Sequence, residues 1–214
     1  MPRRSVMSMP LRDAEEPVRQ LARALGATIG IVDAVRAEQW SAPTPCPDWS
    51  VRDVVEHLIR RHLQFANIVS GRPGRYHMQS PPRSRSAGAV VPPDDGLPAE
   101  HAASAFRLVQ AFELPHVLEH TVKVPIGQVP GIIALHIRLV EALAHGWDIA
   151  VATGQRRRLP PDLAVQETEL VCPRLASLPV GLFGPPRQAP PDSPAIDRLA
   201  ALLGRDVVAA LKRS

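Results

Sequence analysis

Apolar residues recur at helical spacing along most of this chain of 214 residues. The first such segment runs from about Asp13 to Trp40 and carries Val18, Leu21, Leu25, Ile29, Val32 and Val35. Apolar positions three and four residues apart predict an amphipathic helix. We therefore expect a long first helix over residues 13–40, preceded by a flexible N-terminus over residues 1–12.

Further helices alternate with connections that are rich in proline. Three prolines within residues 43–47 hold the chain extended. Ser50 followed by Asp53 forms a capping-box pattern at the start of the next helix. The later helices are predicted over residues 50–70, 99–112, 130–153, 161–177 and 194–212.

Two connections differ from the rest. Residues 71–98 contain six prolines and four glycines, which predicts a long loop. In residues 121–131, polar and apolar residues alternate and are interrupted by the turn-forming residues proline and glycine, which predicts at most a short hairpin-like excursion. The whole pattern predicts an all-α fold, a bundle of four main helices with additional C-terminal helices and long proline-rich loops. We expect this bundle to form a single domain over residues 13–214.

Composition and charge narrow the class of protein. The 25 lysines and arginines nearly balance the 21 acidic residues, and arginines cluster only in short runs, so nucleic-acid binding is not expected. Cys46 and Cys172 are too few for a disulfide framework or a zinc ribbon. No signal peptide is visible, and charged residues interrupt the most apolar stretch, residues 131–152. We expect a cytoplasmic protein without a membrane segment.

The helix predicted over residues 130–153 carries the candidate chemistry. Four polar side chains fall within one arc of about 80° on a helical wheel: Arg138, Glu141, His145 and Asp148. The rest of the circumference is apolar except for His136. Because a surface helix has the opposite proportions, this helix is expected to be central, with its polar stripe facing a cavity.

Glu141 and His145 lie about one turn apart, so their side chains meet on one face of the helix. A carboxylate and an imidazole at this spacing suit a divalent cation such as Zn²⁺, and the alternative is an ordinary Glu–His pair. A third ligand would come from another segment. The candidates are His57, His62, His116 and His120. Periodicity does not choose well among them, although His62 lies in the apolar arc of its helix, where a core histidine is more typical.

Three blocks of sequence resemble one known family. They are Thr44-Pro-Cys-Pro-Asp-Trp-Ser-Val-Arg-Asp-Val-Val-Glu-His57, Arg138-Leu-Val-Glu-Ala-Leu-Ala-His-Gly-Trp-Asp148 with the residues to Gly154, and Ala195-Ile-Asp-Arg-Leu-Ala-Ala-Leu-Leu-Gly-Arg-Asp206. In order and spacing, over about residues 15–206, they resemble the mycothiol-dependent maleylpyruvate isomerase N-terminal family of the DinB-like superfamily. The last block is similar to the family's short actinobacterial-type members.

The resemblance implies a DinB-like four-helix bundle with a metal site made by one histidine of the second helix and a Glu-xxx-His pair of a later one. Carried over, the metal ligands are His57, Glu141 and His145, and the cofactor is Zn²⁺ or another divalent metal with an open coordination position. In the thiol-dependent members that position takes a low-molecular-weight thiol, so mycothiol is the implied cosubstrate. Asp148 is then either a partner for His145 or a capping or ion-pairing residue.

The resemblance also implies a function. We expect a thiol-dependent transferase or detoxifying enzyme that acts on a small-molecule thiol and an electrophilic substrate. The isomerase carries a separate C-terminal domain that contributes to its active site, and the roughly 60 residues after Gly154 are too few for it. Maleylpyruvate isomerisation is therefore not the expected reaction. The alternative is a non-catalytic DinB-like bundle that acts as a stress-linked binding or interaction protein.

Four residues outside the metal site receive structural roles. Cys46 between two prolines is expected to be a small packing residue, and Ser50 a helix cap. Trp49 and Trp147 are expected in the core or in a pocket wall.

Overall fold

The computed structural model describes residues 11–72, 96–170 and 184–212, and the regular elements in these ranges are helices apart from one small hairpin. The elements are α1 (Leu11–Asp33), a 3-10 turn (Ala37–Gln39), α2 (Val51–Val69), α3 (Leu97–Phe112), β1 (Thr121–Val124), β2 (Gly127–Pro130), α4 (Gly131–Ala152), α5 (Pro161–Leu170), α6 (Ala195–Leu202) and α7 (Val207–Leu211). The predicted all-α class is confirmed.

Helices α1 to α4 form the bundle around the core. Helix α1 packs most extensively on α4, and α2 packs most extensively on α3, while contacts between α1 and α3 and between α2 and α4 close the ring. Helix α4 is the centre of this arrangement, because every residue from Ala134 to Val151 except His136 is buried. The predicted central position of α4 is confirmed.

Helix α1 ends earlier than predicted. The expected helix over residues 13–40 stops at Asp33, and Arg36 takes an extended conformation before the short 3-10 turn. This break lets the buried Trp40 turn into the core and lets Gln39 Nε2 donate to the backbone oxygen of Thr153, 2.9 Å away, at the end of α4. A tertiary contact therefore overrides the local helical pattern.

The next elements agree with the prediction. Helix α2 begins after Ser50, whose hydroxyl oxygen accepts from the backbone N–H of Asp53 while the Asp53 carboxylate accepts from the backbone N–H of Ser50. Helix α3 begins at Leu97, and β1 and β2 form an antiparallel hairpin that packs on α2 and α4. Of the predicted loop over residues 71–98, residues 73–95 lie outside the described ranges.

The C-terminal helix is divided, which the sequence pattern did not predict. Instead of one helix over residues 194–212, α6 and α7 are separated by a turn in which Gly204 has φ +92°. A Cβ on Gly204 would lie 2.6 Å from the Cα of Gly184, so only glycine fits this close approach. The predicted helix over 161–177 is seen to Leu170, and residues 171–177 lie outside the described part.

Candidate metal centre

The turn before α2 places the first residues of the site. The backbone N–H of Thr44 donates to the backbone oxygen of Trp49 over 2.9 Å, and Asp48 has φ 65°, a left-handed conformation that Asp adopts more readily than most residues. This tight turn directs the chain into α2. His57 follows about two turns into that helix, on the side that faces α4.

Three predicted residues converge between α2 and α4. One potential ligand atom from each of His57, Glu141 and His145 lies within 4.8 Å of the other two. His57 Nε2 and Glu141 Oε2 are 3.3 Å apart, and the ring centroids of the two histidines are 5.1 Å apart. The His145 and Glu141 side chains are buried, and His57 retains 16% of its side-chain exposure, so the cluster is reached from the His57 side.

Arg138 binds the Glu141 carboxylate through the oxygen that does not face His57. Its Nη2 contacts Glu141 Oε1, and its guanidinium lies over the Phe65 ring, 4.1 Å from the centroid. Burial would by itself raise the pKa of Glu141, but the Arg138 guanidinium and the two histidines hold that pKa well below its usual range. Glu141 is therefore ionised and oriented at neutral pH.

His57 is neutral at the same pH. Burial lowers the pKa of its imidazole to about 4, because desolvation outweighs the attraction of Glu141 for the charged form. A neutral imidazole offers a nitrogen lone pair, which is the form that binds metals.

Asp148 orients His145. The His145 Nδ1 lies 3.0 Å from Asp148 Oδ2, so Nδ1–H can donate to the carboxylate, and Nε2 remains for a ligand. Burial would raise the pKa of Asp148, but Arg205 and His145 together lower it below its usual value. Both roles considered for Asp148 in the sequence thus occur together, since it partners His145 and forms an ion pair.

Arg205 is the residue of this site that sequence analysis missed. It lies in the turn between α6 and α7, and its Nε and Nη2 reach Asp148 Oδ1 and Oδ2 at 3.2 and 2.8 Å. Two signals were present in the sequence: Asp148 itself, because a buried carboxylate requires a cationic or hydrogen-bonding partner, and the position of Arg205 in the third block that resembles the family. Fifty-seven residues separate the two, so no local spacing could identify that partner.

Trp49 forms a wall over the cluster. Its ring centroid lies 4.8 Å from that of His57 and 6.0 Å from that of His145, with the latter ring nearly parallel to it. Trp147, by contrast, is fully buried, and its Nε1 donates to Asp197 Oδ1 over 2.6 Å. The two tryptophans thus divide between a pocket wall and the core, in agreement with the prediction.

The other candidate histidines lie elsewhere. His62 is buried beside Ser104, with Nδ1 3.1 Å from its hydroxyl oxygen, as expected for a core residue. His116 and His120 are exposed and face each other with ring centroids 6.1 Å apart. His136, the exception on the apolar face of α4, pairs with Glu167 of α5 at 2.9 Å. In the described ranges, none of these residues belongs to a second cluster of three metal-ligating groups.

Cys46 is half-buried and is not bonded to another cysteine. Burial, assisted by the negative charge of Asp148, raises the pKa of its thiol to about 11. It is therefore a protonated packing residue at neutral pH, in keeping with its predicted role. Cys172 lies outside the described ranges.

The donor set fits a divalent metal. Two imidazole nitrogens and one carboxylate oxygen are the ligands that Zn²⁺ and similar ions accept, and three protein ligands leave a coordination position open. The hydrogen bond from His145 to Asp148 is the outer support that metal-ligating histidines usually have. His57, Glu141 and His145 could thus hold a metal.

The chain belongs to the mycothiol maleylpyruvate isomerase N-terminal domain family, whose sequence model matches residues 19–150. It is 34% identical to the uncharacterized protein Rv0738 of Mycobacterium tuberculosis (strain ATCC 25618 / H37Rv) over 198 residues, which are 90% of this chain and 99% of that protein. The uncharacterized protein MT0763 of Mycobacterium tuberculosis (strain CDC 1551 / Oshkosh) matches to the same extent.

Two solved structures share the fold. One is the mycothiol-dependent maleylpyruvate isomerase, with a TM-score of 0.57 and 18% identity over 71% of this chain and 66% of that one. The other is a histidine-to-alanine mutant of the same enzyme, with a TM-score of 0.56 and 17% identity. The predicted DinB-like helical fold is confirmed. The matched part spans 66% of the solved isomerase chain, so the activity of the whole isomerase is not transferred with the fold.

No helix in the described part of the chain combines the length and the apolar character needed to cross a membrane.

Proposed function

We propose that this protein binds Zn²⁺ or another divalent metal through His57, Glu141 and His145 and uses it for a thiol-dependent transfer reaction. The observation that carries the proposal is the convergence of these three side chains from two helices, with ligand atoms within 4.8 Å of one another. Membership of the mycothiol maleylpyruvate isomerase N-terminal domain family supports it.

The proposed thiol transfer requires a bound divalent ion, a thiol and an electrophilic substrate. A divalent ion with an open position supplies Lewis acidity that favours the deprotonated form of a thiol at neutral pH. In the transfer, the S–H bond of the thiol breaks and its proton passes to water. The sulfur electron pair then forms a bond to the electrophilic atom of the second substrate, and a leaving group departs with the displaced electron pair. The overall reaction consumes no oxidant or reductant.

The residues around the ligands have separate tasks. Arg138 keeps Glu141 ionised and in place, and Asp148 holds the His145 ring with Nε2 free for a ligand. Trp49 covers one side of the cluster and restricts water there. We infer that substrates enter from the side of His57, where the cluster is partly exposed.

The thiol we propose is mycothiol, the thiol named in the description of the family and of the solved isomerase. Its partner is a small electrophile, in a reaction other than maleylpyruvate isomerisation, because about a third of the isomerase chain has no counterpart in the match. A cytoplasmic location, where small thiols are kept reduced, agrees with this chemistry.

Metal content tests the first half of the proposal. We expect about one metal ion per chain by elemental mass spectrometry after incubation with Zn²⁺ and desalting, and its loss in His57→Ala and His145→Ala. His120→Ala is the matched control, because it removes an exposed histidine that lies outside the cluster. A wild-type protein that retains no metal would contradict the proposal and favour the non-catalytic alternative, a DinB-like binding or interaction protein.

Thiol reactivity tests the second half. The metal-loaded protein is expected to accelerate the alkylation of mycothiol by a model electrophile such as monobromobimane near pH 7, and His145→Ala is expected to abolish this acceleration. If the protein binds metal stoichiometrically but leaves the rate of alkylation at the uncatalysed value, the site is a binding or structural one, and the transferase proposal fails.

A further inference from the structure

The cluster of His57, Glu141 and His145 is supported by a part of the chain that the family model does not include. The match ends at residue 150, whereas Arg205 lies in the turn between α6 and α7. Its guanidinium nevertheless binds both carboxylate oxygens of Asp148, at 3.2 Å from Nε and 2.8 Å from Nη2. Asp148 in turn forms a hydrogen bond of 3.0 Å with His145 Nδ1, so Arg205 is connected to a candidate ligand through one residue.

The bidentate contact with Arg205 restricts the orientation of the Asp148 carboxylate. A planar guanidinium that binds both oxygens of a carboxylate fixes the plane of that carboxylate as well as its distance. Asp148 is fully buried, and the Arg205 side chain retains only 7% exposure, so water does not compete strongly for either group. The orientation of Asp148 in turn sets the direction in which the His145 ring presents its other nitrogen.

Arg205 itself is held in a constrained turn. Its Nη1 donates to the backbone oxygen of Leu203 over 2.9 Å, and its backbone N–H donates to the oxygen of Ala200 over 3.0 Å. The intervening Gly204 has the left-handed conformation that packs against Gly184. The division of the C-terminal helix therefore has a consequence for the site, since the turn directs Arg205 inward.

We propose that Arg205 is a positioning residue for the metal centre, which it serves by fixing Asp148 and through it His145. The inference rests on the proposed function, because it concerns the same ligands. It goes further in assigning the C-terminal helices a role in metal binding. Loss of Arg205 leaves the buried Asp148 without the guanidinium that orients it and widens the range of orientations open to the His145 ring.

A purely structural role for Arg205 predicts a different result, and the chain contains a matched control. Arg157 also joins the C-terminal helices to the bundle through a buried carboxylate, with Nε 2.9 Å from Asp197 Oδ1. In the described structure the side-chain partners of that carboxylate are Arg157 and Trp147, and none of the three ligands is among them. Loss of Arg157 weakens the attachment of α6 without a direct effect on His145.

The test is the Zn²⁺ dissociation constant, measured by competition with a chromophoric chelator for the wild type, Arg205→Gln and Arg157→Gln. Chemical denaturation of the metal-free proteins is measured in parallel. We expect both variants to be less stable, and Arg205→Gln alone to bind Zn²⁺ more weakly, by about tenfold or more. Arg157→Gln is expected to stay within about twofold of the wild type.

Each outcome has a distinct meaning. Equal losses of affinity in both variants, or no loss in Arg205→Gln, would overturn the positioning role and leave the proposed metal site intact. A wild-type protein without Zn²⁺ affinity would overturn the proposed function itself, and this inference with it. If Arg205→Gln does not fold, Arg205→Lys provides the measurement, because lysine keeps the charge but cannot bind both oxygens of Asp148 in the planar geometry of a guanidinium. An unchanged dissociation constant in that variant would equally overturn the role.

Discussion

His101 provides a quantitative test of the electrostatics of the core. It lies on α3, its exposure is 0%, and neither of its ring nitrogens has a hydrogen-bond partner among the described residues. Its ring faces that of the buried His62, with the centroids 5.4 Å apart. We predict that His101→Leu makes the protein less sensitive to acid.

The magnitude follows from the pKa of His101. Burial lowers that pKa from 6.5 to about 4 in the folded chain. As the pH falls from 7 to 4.5, the unfolded chain binds a proton at this position and the folded chain largely does not, so the free energy of unfolding decreases. Linkage gives a loss of about 2 kcal/mol from this residue. The stability is fully present above about pH 6.5 and is lost as the pH approaches 4.

The same variant is informative at neutral pH. Leucine has a similar volume to histidine and no polar atoms, so it removes two buried nitrogens that make no hydrogen bond within the described part of the chain. We therefore expect His101→Leu to be at least as stable as the wild type at pH 7. His62 remains in both proteins, and its pKa is also lowered by burial, so part of the acid sensitivity persists.

Urea unfolding at pH 7 and pH 4.5 measures the effect, with a chelator present throughout so that metal binding does not contribute. The difference in unfolding free energy between the two pH values is expected to be about 2 kcal/mol smaller in His101→Leu than in the wild type. The exposed His120 serves as control, and His120→Gln is expected to follow the wild type. A pH dependence in His101→Leu that is the same as in the wild type would refute the reasoning.

Three further predictions concern packing and thiol chemistry. Gly26→Ala is expected to raise the free energy of unfolding by about 0.5–1 kcal/mol, because Gly26 is exposed within α1 and an added Cβ meets nothing within 4 Å. Gly146→Ala is expected to lower it by about 1–3 kcal/mol, because its Cβ would lie 3.0 Å from a side chain of α1 and from one following α4. Thermal unfolding compares the two variants, and a shift in the same direction would contradict the tight packing at 146. Iodoacetamide at pH 8 is expected to alkylate Cys46 about tenfold or more slowly than a free thiol, since its pKa is raised to about 11. Timed peptide mass spectrometry distinguishes Cys46 from Cys172, and alkylation of Cys46 at the free-thiol rate would contradict the raised pKa.

The helices that the sequence predicted well are those whose ends carry local signals. Helix α2 begins at the Ser50–Asp53 capping box, and α4 begins directly after Pro130, because side-chain caps and proline geometry act within a few residues. The two errors concern the end of α1 and the division of the last helix. At both places, contacts with residues distant in sequence determine where the helix ends. Trp40 enters the core, and the turn after α6 follows the approach of Gly204 to Gly184.

The sequence by itself determined the helical class, the central position of α4 and the pairing of Glu141 with His145, since each depends on spacing along one helix. Its periodicity did not select a histidine from outside α4, and the resemblance to a family named His57. Only the tertiary structure brought His57 to within 3.3 Å of Glu141, separated Trp49 from Trp147 by their surroundings, and joined Arg205 to Asp148. These contacts link residues that are far apart in sequence, and their partners are chosen by the burial of charge and apolar surface in the assembled bundle, which no local pattern records.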